Sequence, residues 1–176
     1  MRFRSWKREP LSSIRKKGAV QLCAALLGKE GRSMNLLVSA CLLGTACRYN
    51  GTGCADERVL RLARFHSLIP VCPEQLGGLP TPRPPVELRD GRAAAKDGRD
   101  CTGPFQKGAE ETLRLAKLLC CGAAVLKSRS PSCGCGRIYD GTFSGKLVPG
   151  NGLTTQKLLE AGITVCSEDE CGKLIP

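Results

Sequence analysis

The run Leu36-Leu37-Val38-Ser39-Ala40-Cys41 decides the fold class. It is a short, unbroken apolar stretch of strand length, and it stops on a cysteine. Three more runs of the same kind follow, at residues 68–72, 123–127 and 163–166. Unbroken apolar runs mark strands buried on both faces, as parallel sheets have. Between the runs the period becomes helical. Val59, Leu62 and Ala63 share one face within residues 56–65. Ala109, Leu113, Ala116 and Cys120 share one in the helix that Thr102-Gly103-Pro104 opens and Gly122 is expected to close. Residues 153–161 form a further helix with Gly162 as its stop. Strands alternating with helices give βαβ units, hence an α/β fold: a single domain with a mainly parallel sheet and helices on both faces. Residues 77–100, rich in Gly, Pro and Arg, read as one long loop. Asp140-Gly141 marks a turn. Ser167, Glu168 and Asp169 read as the start of a last short helix, where carboxylates favour the positive end of the dipole.

The 176 residues suffice for one domain with a real core and are too few for two ordinary ones. No apolar stretch approaches the roughly 20 residues of a membrane helix, so a soluble, cytoplasmic protein without a membrane partner is expected. The net charge of +11 is uneven: residues 1–33 hold nine Lys or Arg and two Glu, so +7 lies there and +4 in the rest. We read residues 1–33 as a basic, disordered extension, with a helical turn or two around residues 19–27, and residues 34–176 as the domain. The apolar run at residues 18–27 imitates a secretion signal only faintly, because Gln21 and Cys23 interrupt it and no cleavage site follows. Strong basicity raises an RNA-binding reading, but it applies to the extension more than to the domain.

Twelve cysteines are many for a chain of this length. Metal or cluster ligation ranks first, scattered buried thiols second and disulfides third. Their placement on the scaffold is informative. Cys41 follows the first strand, Cys72 ends the second, and Cys133 lies in the loop after the third. In an open parallel sheet the loops leaving the carboxyl ends of the strands share one edge, where ligands bind. Three thiols distant in sequence therefore converge. Three is one short of a closed set, which suits a metal centre with an open position. Soft thiolates take Fe–S clusters, zinc or copper(I). Cys47, Cys54 and Cys135 lie near the same loops, so a zinc site remains an alternative, alone or in an RNA-binding module. A thiol redox protein fits less well, because no Cys-x-x-Cys follows a strand.

Other residues surround these thiols. Glu74, two residues beyond Cys72, is placed to move protons if it is partly withdrawn from water; its structural reading is an ion pair with Arg83. Ser130 has a hydroxyl beside Cys133 and is placed to orient a substrate or simply to form a turn before Pro131. Glycines such as Gly44, Gly77 and Gly152 permit turns or close backbone approach. The only histidine, His66, reads as structural.

Four linked motifs carry a family resemblance. They are Val38-Ser39-Ala40-Cys41-Leu42-Leu43-Gly44 with Cys47-Arg48-Tyr49; Val71-Cys72-Pro73-Glu74 with Gly77-Gly78-Leu79-Pro80-Thr81-Pro82-Arg83; Leu126-Lys127-Ser128-Arg129-Ser130-Pro131-Ser132-Cys133-Gly134; and Ile138-Tyr139-Asp140-Gly141-Thr142-Phe143. The chain from about Met34 onward resembles thiouracil desulfidases of the TudS type, a bacterial family long catalogued as a domain of unknown function. The resemblance implies a single Rossmann-like domain with a [4Fe-4S] cluster on Cys41, Cys72 and Cys133, whose open iron binds the sulfur of a thiolated uracil while water replaces it without net redox change. It makes Glu74 the proton shuttle or base and Ser130 a residue that positions or protonates substrate. Cys47 is the main competitor to Cys41 as a ligand. Asn50 stands where the family often has Asp, and Cys54 and Cys135 are extras. Larger relatives add a domain and act on thiolated tRNA. The mild charge of this domain favours a free thiolated nucleobase or nucleoside over tRNA.

Overall fold

A computed structural model describes residues 33–176. The basic extension, apart from Ser33, and its expected helical turns lie outside the described residues. In chain order the elements are β1 (Asn35–Ser39), a 3-10 turn (Ala40–Leu43), α1 (Glu57–Arg61) running into a 3-10 turn (Leu62–Arg64), β2 (Ser67–Val71), α2 (Pro73–Leu76), β3 (Val86–Arg89), β4 (Arg92–Ala95), α3 (Thr102–Leu118), β5 (Cys121–Leu126), β6 (Arg137–Tyr139), β7 (Leu147–Pro149), α4 (Leu153–Glu160), β8 (Thr164–Ser167) and a closing 3-10 turn (Cys171–Leu174).

The four apolar runs form one four-stranded sheet in the order β2-β1-β5-β8, with every neighbouring pair parallel. The chain leaves β1 toward β2 and later returns to the other side of β1 as β5, so the order reverses between β1 and β5. That reversal opens a crevice at the carboxyl ends of these strands.

Strand alternation divides the core. Leu36, Val38, Ala123 and Val125 pack with Val59, Leu62 and Cys171. Leu37, Ala124 and Leu126 pack with Ala116 and Leu158. A third cluster joins Val86, Leu88, Ala93 and Ala95 to Phe105 near the start of α3. His66 has the structural role expected of it: buried, it accepts the Met34 N–H at Nδ1 (3.4 Å) and binds the Leu174 carbonyl through Nε2 (2.6 Å).

Three local expectations are corrected. Residues 77–100 are not one loop, because β3 and β4 pair as an antiparallel hairpin there. Asp90 (φ +50°) and Gly91 (φ +76°) make its two-residue turn, the geometry that matches strand twist. The surrounding Pro and Arg residues hide two short strands. Next, α3 stops at Leu118; Cys120 takes the left-handed conformation (φ +49°) and Gly122 lies inside β5. Finally, Ser167 ends β8 and the last turn begins only at Cys171. Glu168 is thus no helix-start carboxylate, and it is buried.

The short α2 depends on α3 for its place. A Cβ on Gly108 would lie 1.9 Å from the Pro73 carbonyl oxygen, and one on Gly77 would lie 2.0 Å from that of Pro104. These glycines let two backbones touch, and the contact fixes the helix that carries Glu74. Gly108→Ala should overpack this seam and lower stability by about 2 kcal/mol in a urea titration. An unchanged midpoint would show that the two helices separate without cost.

Candidate active site

The crevice is a cavity of about 550 Å³, a volume typical of small-molecule sites. Cys41, Cys72, Cys133, Glu74 and Ser130 all line it, together with Cys47. Cys41 belongs to the 3-10 turn after β1, where its carbonyl accepts the N–H groups of Gly44 (3.1 Å) and Cys54 (2.9 Å). Cys72 caps α2 directly after β2. The Cys72 thiol donates to the Cys47 carbonyl at 3.7 Å, and the Cys47 thiol lies close enough to those of Cys41 and Cys72 to influence its titration. The two extras do not join: Cys54 packs against the first core cluster, and Cys135 directs its sulfur at the Val165 carbonyl (3.8 Å).

The Cys133 loop is fastened to the start of α4. The Pro131 and Ser132 carbonyls accept the N–H groups of Leu153 (3.1 Å) and Thr154 (2.9 Å), donors that a helix start cannot satisfy itself. Thr155 Oγ1 donates to the Cys133 carbonyl at 2.8 Å. A Cβ on Gly152 would lie 2.4 Å from Ser132 backbone atoms, so only glycine allows this approach. Ser130 Oγ accepts the N–H groups of Ser132 and Cys133, each at 3.1 Å. Its own proton remains to be donated.

The thiols of Cys47, Cys72 and Cys133 are shifted toward the neutral form. Contact with Cys41 and then burial raise the pKa of Cys47, although Cys72 opposes this. Contact with Cys47, followed by burial, raises that of Cys72. Burial pushes the Cys133 thiol up to about 12, against a hydrogen bond from Ser39. A bound metal reverses this balance, because it takes thiolate and releases the proton. Among the described residues, no three His, Cys, Asp or Glu side chains close on one point tightly enough for a single metal ion. A polynuclear cluster presents its irons at separate corners and does not require its ligands to converge on one point.

Charge around the thiols is mostly positive. Arg48, Arg83, Lys96, Lys127 and Arg129 line the cavity, against Glu74 and Glu87. Arg83 Nε donates to Glu74 Oε2 at 2.7 Å, and Arg83 Nη2 donates to the Cys47 carbonyl at 3.1 Å. One guanidinium therefore ties the Cys47 loop to α2. The ion pair read from sequence is present, yet Glu74 still faces the cavity.

Sequence reasoning missed Lys127 and Glu168. Lys127 Nζ pairs with Glu168 Oε1 and also donates to Ser128 Oγ (3.0 Å). The Ser128 N–H and hydroxyl donate to Glu168, each at 2.8 Å. Burial pushes the Glu168 carboxyl up, but these partners outweigh it and hold it below its usual range. The only sequence signal was a lysine ending an apolar strand, where a charge requires a partner.

The 2-thiouracil desulfurase family model matches residues 36–170, most of the chain. The chain belongs to the 2-thiouracil desulfurase family. Its relatives include an uncharacterized protein, YbbK, of Bacillus subtilis (strain 168), 41% identical over 150 residues that span 80% of this chain and 99% of that protein. A solved structure described as a [4Fe-4S]-dependent thiouracil desulfidase, TudS, is similar with a TM-score of 0.74 and 41% identity, over 81% of this chain and 95% of its own. Among the described residues of this family member, no helix is long and apolar enough to cross a membrane.

Glu168→Gln would leave the Lys127 ammonium without its counter-charge between β5 and β8. Since Lys127 keeps some access to water, the expected loss is about 2 kcal/mol of unfolding free energy, below that of a fully buried pair. Urea denaturation measures it, and an unchanged midpoint would mean the pair contributes nothing.

Proposed function

We propose that this chain is a desulfidase that converts a thiolated uracil to uracil, on a [4Fe-4S] cluster held by Cys41, Cys72 and Cys133. One observation carries this reading: three thiols from the ends of β1, β2 and β5 line one cavity with a carboxylate and a hydroxyl, in a chain of the 2-thiouracil desulfurase family. The donor set fits the group. Thiols are soft, they come from three separate loops, and the cationic lining offsets the negative charge of a thiolate-bound cluster. Cys41, Cys72 and Cys133 are the ligands that the family resemblance implies, and on that ground we prefer them to Cys47, which lines the same cavity. When bound, the cluster supplies an iron without a protein ligand, a soft Lewis acid for thiocarbonyl sulfur.

The chain's own residues do the rest. Glu74 Oε2 is held by Arg83, and Oε1 has no hydrogen-bond partner among the described residues. That oxygen takes the proton from the attacking water as the new C–O bond forms. Ser130, its oxygen fixed by two backbone N–H groups, donates its proton toward the substrate. The overall change is C=S plus water to C=O plus hydrogen sulfide, with no electrons gained or lost.

We read the scaffold as Rossmann-like with helices on both sheet faces, residues 34–176 as the desulfidase domain and residues 1–33 as a basic extension. A free 2-thiouracil, 4-thiouracil or 4-thiouridine is the favoured substrate over thiolated tRNA, and the cytoplasm is the favoured location.

Two variants of anaerobically purified protein test the assignment. Cys133→Ala should lose both the brown cluster absorption and turnover of 2-thiouracil. Glu74→Ala should keep the absorption and lose about 100-fold or more in kcat. Cluster loss in Glu74→Ala would make that carboxylate structural. Full activity in Cys133→Ala would remove the cysteine from the ligand set.

A further inference from the structure

Glu87 takes no part in the chemistry above, yet it lines the same cavity. On β3, Val86 and Leu88 face the cluster around Phe105, so alternation turns Glu87 the other way. The residue is only 8% exposed. Its Oε2 accepts the Phe143 N–H at 2.9 Å. Its Oε1 has no hydrogen-bond partner among the described residues, and no lysine, arginine or histidine there pairs with it. No side-chain oxygen among the described residues is both fully buried and unpartnered. Glu87 Oε1 therefore has access to open space, and Glu87 lines the cavity.

A buried carboxylate with one hydrogen bond and no counter-charge is costly. It has acceptor capacity to spare. Phe143, on the other side of the contact, holds φ at +56°, an uncommon conformation for a bulky residue. Strain of this kind collects where geometry serves a ligand. The carboxylate is thus aimed and fixed, with an acceptor toward the substrate space.

We propose that Glu87 accepts the N3–H of the pyrimidine and so selects thiolated uracil over thiolated cytosine. This rests on the desulfidase reading and names its specificity residue. N3 lies between C2 and C4, so it flanks the thiocarbonyl in both 2-thio and 4-thio isomers. In uracil N3 carries hydrogen; in cytosine it carries a lone pair. A carboxylate facing that lone pair is left without a donor, the situation in which polar sites discriminate most strongly.

The test compares 2-thiouracil with 2-thiocytosine, which carry sulfur on the same carbon, in the cluster-loaded protein and its Glu87→Gln variant. The wild type should favour 2-thiouracil by about 100-fold or more in kcat/KM. In the variant the amide oxygen keeps the Phe143 N–H and the NH2 turns to the cavity, so a donor replaces an acceptor. Its KM for 2-thiouracil should rise, its kcat/KM for 2-thiocytosine should increase, and the preference should collapse or invert. Equal use of both bases by the wild type, or an equal loss on both in the variant, would overturn the assignment; the latter would make Glu87 only a brace for Phe143. Calorimetric binding of uracil and cytosine to the wild type needs neither turnover nor a folded variant, and uracil should bind measurably tighter. Equal binding of the two would also overturn the assignment. If neither thiolated base is turned over while uracil is still preferred, the desulfidase reading fails and the role of Glu87 in recognition stands.

Discussion

The backbone geometry of a parallel sheet is the constraint on which this molecule depends. Because β1, β2 and β5 run in one direction, their carboxyl ends share an edge, and the residues that follow them must meet there. Cys41 and Cys72 lie just past such ends, and Cys133 lies further along the loop that leaves β5. No local motif holds them together, and their separations in sequence have no relation to ligand spacing. Any change in strand order or direction would scatter them.

Much of the remaining structure immobilises the loops that leave that edge. Gly108 and Gly77 let α2 lie directly on α3, which sets the height of Cys72 and Glu74. The carbonyls of the Cys133 loop satisfy the first N–H groups of α4, and Gly152 makes room for that contact. Arg83 joins the Cys47 loop to α2 through one carbonyl and one carboxylate. Lys127, Ser128 and Glu168 close β5 against β8. Each is a polar or close-packed contact at a strand end, where a small displacement would move a sulfur.

Most of this was legible in the sequence, for identifiable reasons. The central strands β1 and β5 are buried on both faces, and the partly exposed edge strands β2 and β8 still keep apolar runs of strand length, so all four were readable, within two residues at each end. The convergence of the cysteines follows from topology and needed no side-chain detail. The hairpin of β3 and β4 was not legible, because two four-residue strands among Pro, Gly and Arg carry too little periodicity. Glu87 was lost with it. Glu168 was misread because its acidic neighbours imitate a helix start, whereas a partner 41 residues earlier determines its role. Local pattern reports secondary structure well, and it is silent about pairing between distant charges.

A cluster held by three protein ligands would leave one iron open. Mössbauer spectroscopy of the 57Fe-enriched protein, purified without air, tests it most directly. One iron site should be distinct from the other three, and that site alone should change when 2-thiouracil is added. Stoichiometric zinc in place of iron, or four irons that ignore the thiolated base, would contradict it.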